Sequence, residues 1–259
     1  MNGEESKAPS PRRKEGSGVR AADAPLRRPH PPATPGASPR VEKSFHLPVD
    51  GEELEREIAK GTRLVARRDP AIAALIKRTG AMELRDPLDD SFAALVRSIM
   101  YQQLAGAAAT AIHGRFLKLF AEALSPVAVL ALPAGVMRAA GVSGPKEAAI
   151  VDLARKVADG TVPLGDVDTL TDDELVERLV QVRGIGRWTA EMFLMFQLRR
   201  LDVWPVDDYG VRKGWTVTHR QKAMITPKAL QAEGEQFRPY RTIAAWYCWR
   251  AVENIVLPT

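Results

Sequence analysis

Cysteine is all but absent. Cys248 is the single one in 259 residues, which excludes an internal disulfide framework and a cysteine-ligated metal cluster. The four histidines, His30, His46, His113 and His219, fall at no metal-ligand spacing. No apolar run nears the roughly 20 residues of a membrane-spanning helix, and the N-terminus lacks the apolar stretch of a secretory signal. Alternating β-patterns are nearly missing, and no internal repeat is visible.

The net charge of +5 is unevenly spread. Residues 1–40 carry eight Lys/Arg against four Asp/Glu, so the remainder is close to neutral. The same stretch holds eight of the nineteen prolines and almost no large apolar side chains. It cannot bury enough surface to offset the entropy of ordering, so residues 1–40 are expected to be a disordered basic tail. Any polyanion binding by residues 41–259 must come from where charge is placed, not from its total.

What is present is helical punctuation. Asp50 can cap GEELEREIAKGTRLVA, Asp69-Pro70 opens a helix that Gly80 ends, and Asp90 or Ser91 can cap SFAALVRSIMY. Phe92, Leu95, Val96 and Ile99 recur at helical spacing, with a break near Gly106. The pattern continues to RTIAAWYCWRAVENIV and predicts an all-α domain of about ten short helices over 41–259.

Two stretches carry more than packing. In LVQVRGIGRWTAEMF, Gly184-Ile185-Gly186 cannot comfortably continue the helix before it, because a glycine costs about 1 kcal/mol in a helix interior. GRWTAEMFLMF then restarts with good helix formers. Such a hairpin brings the free N–H groups of a helix N-terminus to the surface, where the dipole favours an anion, with Arg183 and Arg187 beside it. Ile185 can point inward and pin the turn. Taken alone, the glycine pair reads equally as a tight helix C-cap. In LDVWPVDDYGVRKGW, Pro205 breaks the chain and Asp207-Asp208 precede a helical pattern, so one aspartate caps it and the other is a solvated first-turn acid.

The full string L-x-x-V-R-G-I-G-x-x-T-A, followed by P-V-D-D-Y, resembles the helix-hairpin-helix (HhH-GPD) DNA glycosylase superfamily over approximately residues 45–255. That resemblance implies two helical subdomains with a cleft between them. It implies Asp208 as the carboxylate facing a flipped nucleotide and Asp207 as a structural partner. It also implies that Arg183, Gly184, Ile185, Gly186, Arg187 and Thr189 form the DNA-binding hairpin. In bifunctional members a lysine in the hairpin helix attacks the sugar, whereas Trp188 stands there in this chain. Without that lysine and without iron–sulfur cysteines, the chain is most similar to the DNA-3-methyladenine glycosylase II branch.

That branch receives its base between aromatic rings. Trp188 and Trp249 match its tryptophans, and Met192 stands where relatives place a tyrosine. Trp246 reads as core. In SIMYQQLAGAAATAI, Gln103 and Leu104 resemble the segment whose leucine fills the gap left by the extruded nucleotide. The backbone carbonyls of Val180, Val182 and Gly184 match those that hold a monovalent cation, Na+ or K+, in the family, and no other cofactor is implied. The separate N-terminal β domain of some relatives is not expected here.

The resulting expectation is a soluble, monomeric, monofunctional glycosylase with double-stranded DNA as partner and no membrane association. It would be cytoplasmic in a bacterium or nuclear in a eukaryote. Two alternatives stay open: a glycosylase of the same fold for oxidised or mismatched bases, and a damage-binding protein without activity.

Overall fold

Local sequence signals start and stop most of the helices. The computed structural model describes residues 51–256 apart from Arg85, Asp89 and Ala105; the basic tail and the Asp50 cap lie outside the described residues. Twelve α-helices and no strands occur among them. The N-terminal set is α1 (Gly51–Arg68), α2 (Pro70–Thr79), α3 (Ser91–Tyr101), α4 (Gly106–Leu117), α5 (Pro126–Leu130), α6 (Val136–Ala139) and α7 (Gly144–Ala158). The C-terminal set is α8 (Asp172–Leu179), α9 (Arg187–Phe196), α10 (Tyr209–Thr218), α11 (Pro227–Gly234) and α12 (Arg241–Val256).

The caps follow the sequence. Asp69 accepts from the N–H groups of Ala71 and Ile72 at 2.8 and 3.0 Å, and Asp90, not Ser91, caps α3. Thr171 and Glu174 close a reciprocal capping box at the start of α8. Each such cap is worth about 1 kcal/mol.

The core runs without interruption from Leu54 in α1 to Ala251 in α12. The described residues fall within one compact unit, and their strand-free helical architecture is the one the resemblance implied. Helices α10 and α12 approach most closely, and α10 makes room with two glycines four residues apart on one face. A Cβ at Gly214 would stand 1.9 Å from the Cys248 carbonyl oxygen, and one at Gly210 would stand 2.6 Å from the Trp249 indole. At Gly214, where the clash is with backbone, only glycine permits that contact. At the far end of α10, His219 stacks on Trp215 with centroids 3.9 Å apart and bonds Asp69 at 2.8 Å. This ties the C-terminal end of α10 to the cap of α2.

Candidate active site

The glycine hairpin lies between α8 and α9. Ile185 is buried and its N–H donates to the Val182 carbonyl at 3.0 Å, so it pins the turn. Gly184 adopts φ +78, a left-handed conformation that disfavours any side chain. Gly186 is extended, and a Cβ there would meet nothing within 4 Å, which leaves the outer face of the turn open. Within α9 the first N–H to find a carbonyl is that of Ala190, bonded to Gly186 at 3.1 Å. The first-turn N–H groups thus remain available to an anion.

Helix α7 supports this turn from behind. Asp152 accepts from the Arg183 N–H at 2.7 Å and pairs with Lys156 at 2.9 Å, while Lys156 also donates to the Gln181 carbonyl. The Arg183 side chain is exposed. The other flanking arginine is committed: Arg187 donates to Glu191 at 3.0 Å and lies 3.9 Å from Asp173. Thr189, expected on the DNA side, is instead buried, because the third residue of α9 turns inward; it accepts from Gln102 at 3.2 Å. Of the carbonyls matched to a cation, that of Val182 accepts from Ile185 and that of Gly184 from Gln102, both at 3.0 Å. Each of these carbonyls retains a second lone pair.

Of the two adjacent aspartates, the one singled out by the resemblance is also the one that caps. It is the N-cap of α10, accepting from the Val211 N–H at 2.7 Å, while Asp207 is exposed and takes no part in the cap. The same Oδ1 accepts from the Trp249 indole N–H at 2.8 Å, and Oδ2 accepts from the Trp188 indole N–H at 2.6 Å. Three N–H donors therefore fix this half-buried carboxylate, two of them indoles, which can only donate.

Asp208 does not itself line a cavity; through Trp188 it adjoins one of about 830 Å³. Trp188, Met192 and Phe196 line one wall at i, i+4 and i+8 of α9, Tyr101 and Gln103 come from the α3 end, and Trp246 comes from α12. Trp246 is core, as read, at 9% exposure, and one edge of it also borders the cavity. Trp249 does not line the cavity: its N–H is drawn to Asp208, and its ring tilts against Phe196 at a centroid distance of 5.7 Å. The two tryptophans expected to face each other across a base instead share one carboxylate. Trp188 is 46% exposed and joins both arrangements.

Phe196 was missed, although the four-residue step from Met192 places it on the same stripe. Gln103 lines the cavity with φ 54, a left-handed backbone unusual for a non-glycine residue, while Leu104 is 39% exposed beside it. Glu191, two turns from the hairpin glycines, is buried. Burial pushes its carboxyl up to about 7; the Arg187 guanidinium opposes the shift, and Asp207 and Asp208 add to it.

Similar proteins share this arrangement of helices. The DNA-3-methyladenine glycosylase 1 of Schizosaccharomyces pombe is 33% identical over 208 residues, which cover 77% of this chain and 90% of that protein. The structure of the S. pombe 3-methyladenine DNA glycosylase in complex with abasic DNA superposes with a TM-score of 0.69 at 31% identity, covering 77% of this chain and all of that one. A DNA-3-methyladenine glycosidase from Bacillus halodurans gives a TM-score of 0.69 at 32% identity, over 76% of this chain and 90% of its own. Residues 96–239, which include Gln103, Leu104, the hairpin and Asp208, match the family of HhH-GPD superfamily base excision DNA repair proteins, and the chain belongs to that superfamily.

Proposed function

We propose that this protein is a DNA glycosylase of base excision repair that removes alkylated purines of the 3-methyladenine and 7-methylguanine class, leaving an abasic site. The observation that carries the proposal is one carboxylate held by the indole N–H groups of Trp188 and Trp249 at the edge of an aromatic cavity.

The hairpin binds a DNA phosphate on the open face of Gly186, through the first-turn N–H groups of α9 with Arg183 beside them. A monovalent cation on the Val180, Val182 and Gly184 carbonyls would add positive charge next to that phosphate. The damaged nucleotide leaves the stack, and the loop of Gln103 and Leu104 fills its place, recovering part of an unstacking cost of a few kcal/mol. The base enters the cavity against Trp188, Met192, Phe196 and Trp246. A purine alkylated at N3 or N7 is cationic and stacks well on electron-rich rings.

The C1′–N bond then breaks with its electron pair going to the purine, which leaves neutral and needs no general acid. Positive charge develops on the sugar, and the Asp208 carboxylate stabilises it. Water forms the new C1′–O bond and gives up a proton. No lysine stands in the hairpin helix, so no covalent enzyme–sugar adduct forms. The protein acts as a monomer on duplex DNA.

Methylated duplex DNA tests this. Wild-type protein releases 3-methyladenine or 7-methylguanine and the Asp208→Asn variant does not, while both bind DNA. Release of 8-oxoguanine or mismatched bases instead would favour an oxidised-base enzyme, and binding without release by either protein would favour a non-catalytic one. Borohydride trapping of a covalent adduct would refute the monofunctional assignment.

A further inference from the structure

The wedge loop and the hairpin come from parts of the chain 82 residues apart, yet one side chain joins them. Gln102 ends α3, and its amide nitrogen donates to the Gly184 carbonyl at 3.0 Å and to the Thr189 hydroxyl at 3.2 Å. Its two N–H donors thus hold the turn and the first turn of α9 together. The next residue, Gln103, takes the left-handed backbone that swings the loop outward, followed by Leu104. Just before it, the Met100 carbonyl accepts from Lys146 of α7 at 2.7 Å. Helix α7 also carries Asp152 and Lys156, which fix Arg183 and Gln181 of the hairpin. Wedge loop and hairpin are therefore clamped to one helix and, through Gln102, to each other.

We infer that Gln102 is a positioning residue for base extrusion: its side-chain amide sets the wedge loop relative to the phosphate-binding turn, so that the loop enters the duplex at the nucleotide whose backbone the hairpin holds. This inference rests on the proposed glycosylase reading. Gln102 borders the cavity, but its amide nitrogen is committed to Gly184 and Thr189 and makes no bond to Asp208, so it acts through Gln103 and Leu104. Two features favour a specific role over plain packing. Its acceptors are one functional carbonyl and one buried hydroxyl on the two elements that approach DNA. The strained residue follows immediately, and a strained backbone persists only when its surroundings hold it.

The test uses the full chain and a duplex with 2-aminopurine beside the lesion, whose fluorescence rises on extrusion. The Gln102→Ala variant is expected to lose most of the fluorescence rise and to excise about tenfold more slowly at saturating enzyme, the effect of two ordinary hydrogen bonds. Its affinity for undamaged duplex should stay within about twofold, since Asp152, Lys156 and the Ile185 N–H still hold the phosphate-binding turn. In a Leu104→Ala, Gln103→Ala background, removing Gln102 should add little, because there is no wedge left to position. The Gln102→Glu variant supplies an independent signature. A carboxylate cannot donate to the Gly184 carbonyl, but a protonated carboxyl can, so its extrusion relative to wild type should recover as pH falls from 7 to 4, through the ordinary carboxyl range of about 4.3.

Extrusion and excision within twofold of wild type in Gln102→Ala would overturn the inference. So would an equal loss of undamaged-DNA affinity, a full additive loss in the wedgeless background, or an absence of pH recovery in Gln102→Glu. The fluorescence arm needs no base release. Wild-type protein that extrudes but releases nothing would sink the glycosylase reading and leave the positioning role standing.

Discussion

The Trp249 indole donates to Oδ1 of Asp208 at 2.8 Å across 41 residues of sequence, and the same oxygen caps α10. Catalytic candidate and helix start are one group. Removing the indole donor while keeping an aromatic ring, by Trp249→Phe, should leave the fold and DNA affinity nearly unchanged. Charge-assisted hydrogen bonds contribute about 1.5–3 kcal/mol, so the single-turnover excision rate should fall by roughly 10- to 100-fold. A rate equal to wild type would show that Asp208 needs no help from α12.

The two roles of Asp208 can be separated by isosteres. Asparagine caps a helix about as well as aspartate, and its NH2, which cannot accept from the Trp188 indole, displaces only that exposed ring, so Asp208→Asn should cost no more than about 1 kcal/mol of stability. Its excision rate should drop by at least about a hundredfold, in the range of other lost electrostatic stabilisers. Asp208→Ala should lose both, with about 1 kcal/mol of stability gone as well. Calorimetry and single-turnover assays on the same preparations check this.

Gly210 and Gly214 should respond differently to alanine. At Gly210 the added methyl meets the edge of the Trp249 indole at 2.6 Å, and the ring can move. Gly210→Ala should therefore fold and excise slowly, because the donor to Asp208 is pushed away. At Gly214 the methyl meets backbone, 1.9 Å from the Cys248 carbonyl oxygen. That strain should cost about 1–3 kcal/mol or more and lower the melting temperature by several degrees.

Glu191 should make stability fall with rising pH. Its carboxyl is raised by burial to about 7, above its value in the unfolded chain. For an acid shifted upward, the stabilisation is fully present below the unfolded pKa and is lost as pH rises through the folded one. Wild-type protein should thus be less stable at pH 8.5 than at pH 6 on account of this group. The Glu191→Gln variant, which keeps an acceptor for Arg187, should show a smaller difference between the two. The same change in unfolding free energy between the two pH values for wild type and Glu191→Gln, measured by urea melts, would refute it.

The signals that proved legible in the sequence are short-range ones. Asp69-Pro70, the Thr171 box and Gly184-Ile185-Gly186 each act within one turn of chain, so residue type alone reveals them. Asp208 was singled out through its motif, and a local cap is what brings it to the helix start. The assignments that changed depend on how helices rotate against each other. Trp246 and Trp249 sit three residues apart on α12, and nothing local says which ring meets the cavity and which N–H meets Asp208. Gln102 reaches Gly184 only because α3 crosses the hairpin. Thr189 turns inward for the same reason, since the face of α9 that packs on α8 and α3 is settled by tertiary contact.

Trp188 has a further consequence. Trp204, Trp215 and Trp246 are all at most 9% exposed, whereas Trp188 is 46% exposed. The chain thus carries a built-in optical reporter at the mouth of its own cavity. Ultraviolet emission from that solvent-facing ring should shift to the blue when a ligand displaces its water, allowing occupancy to be followed without any label.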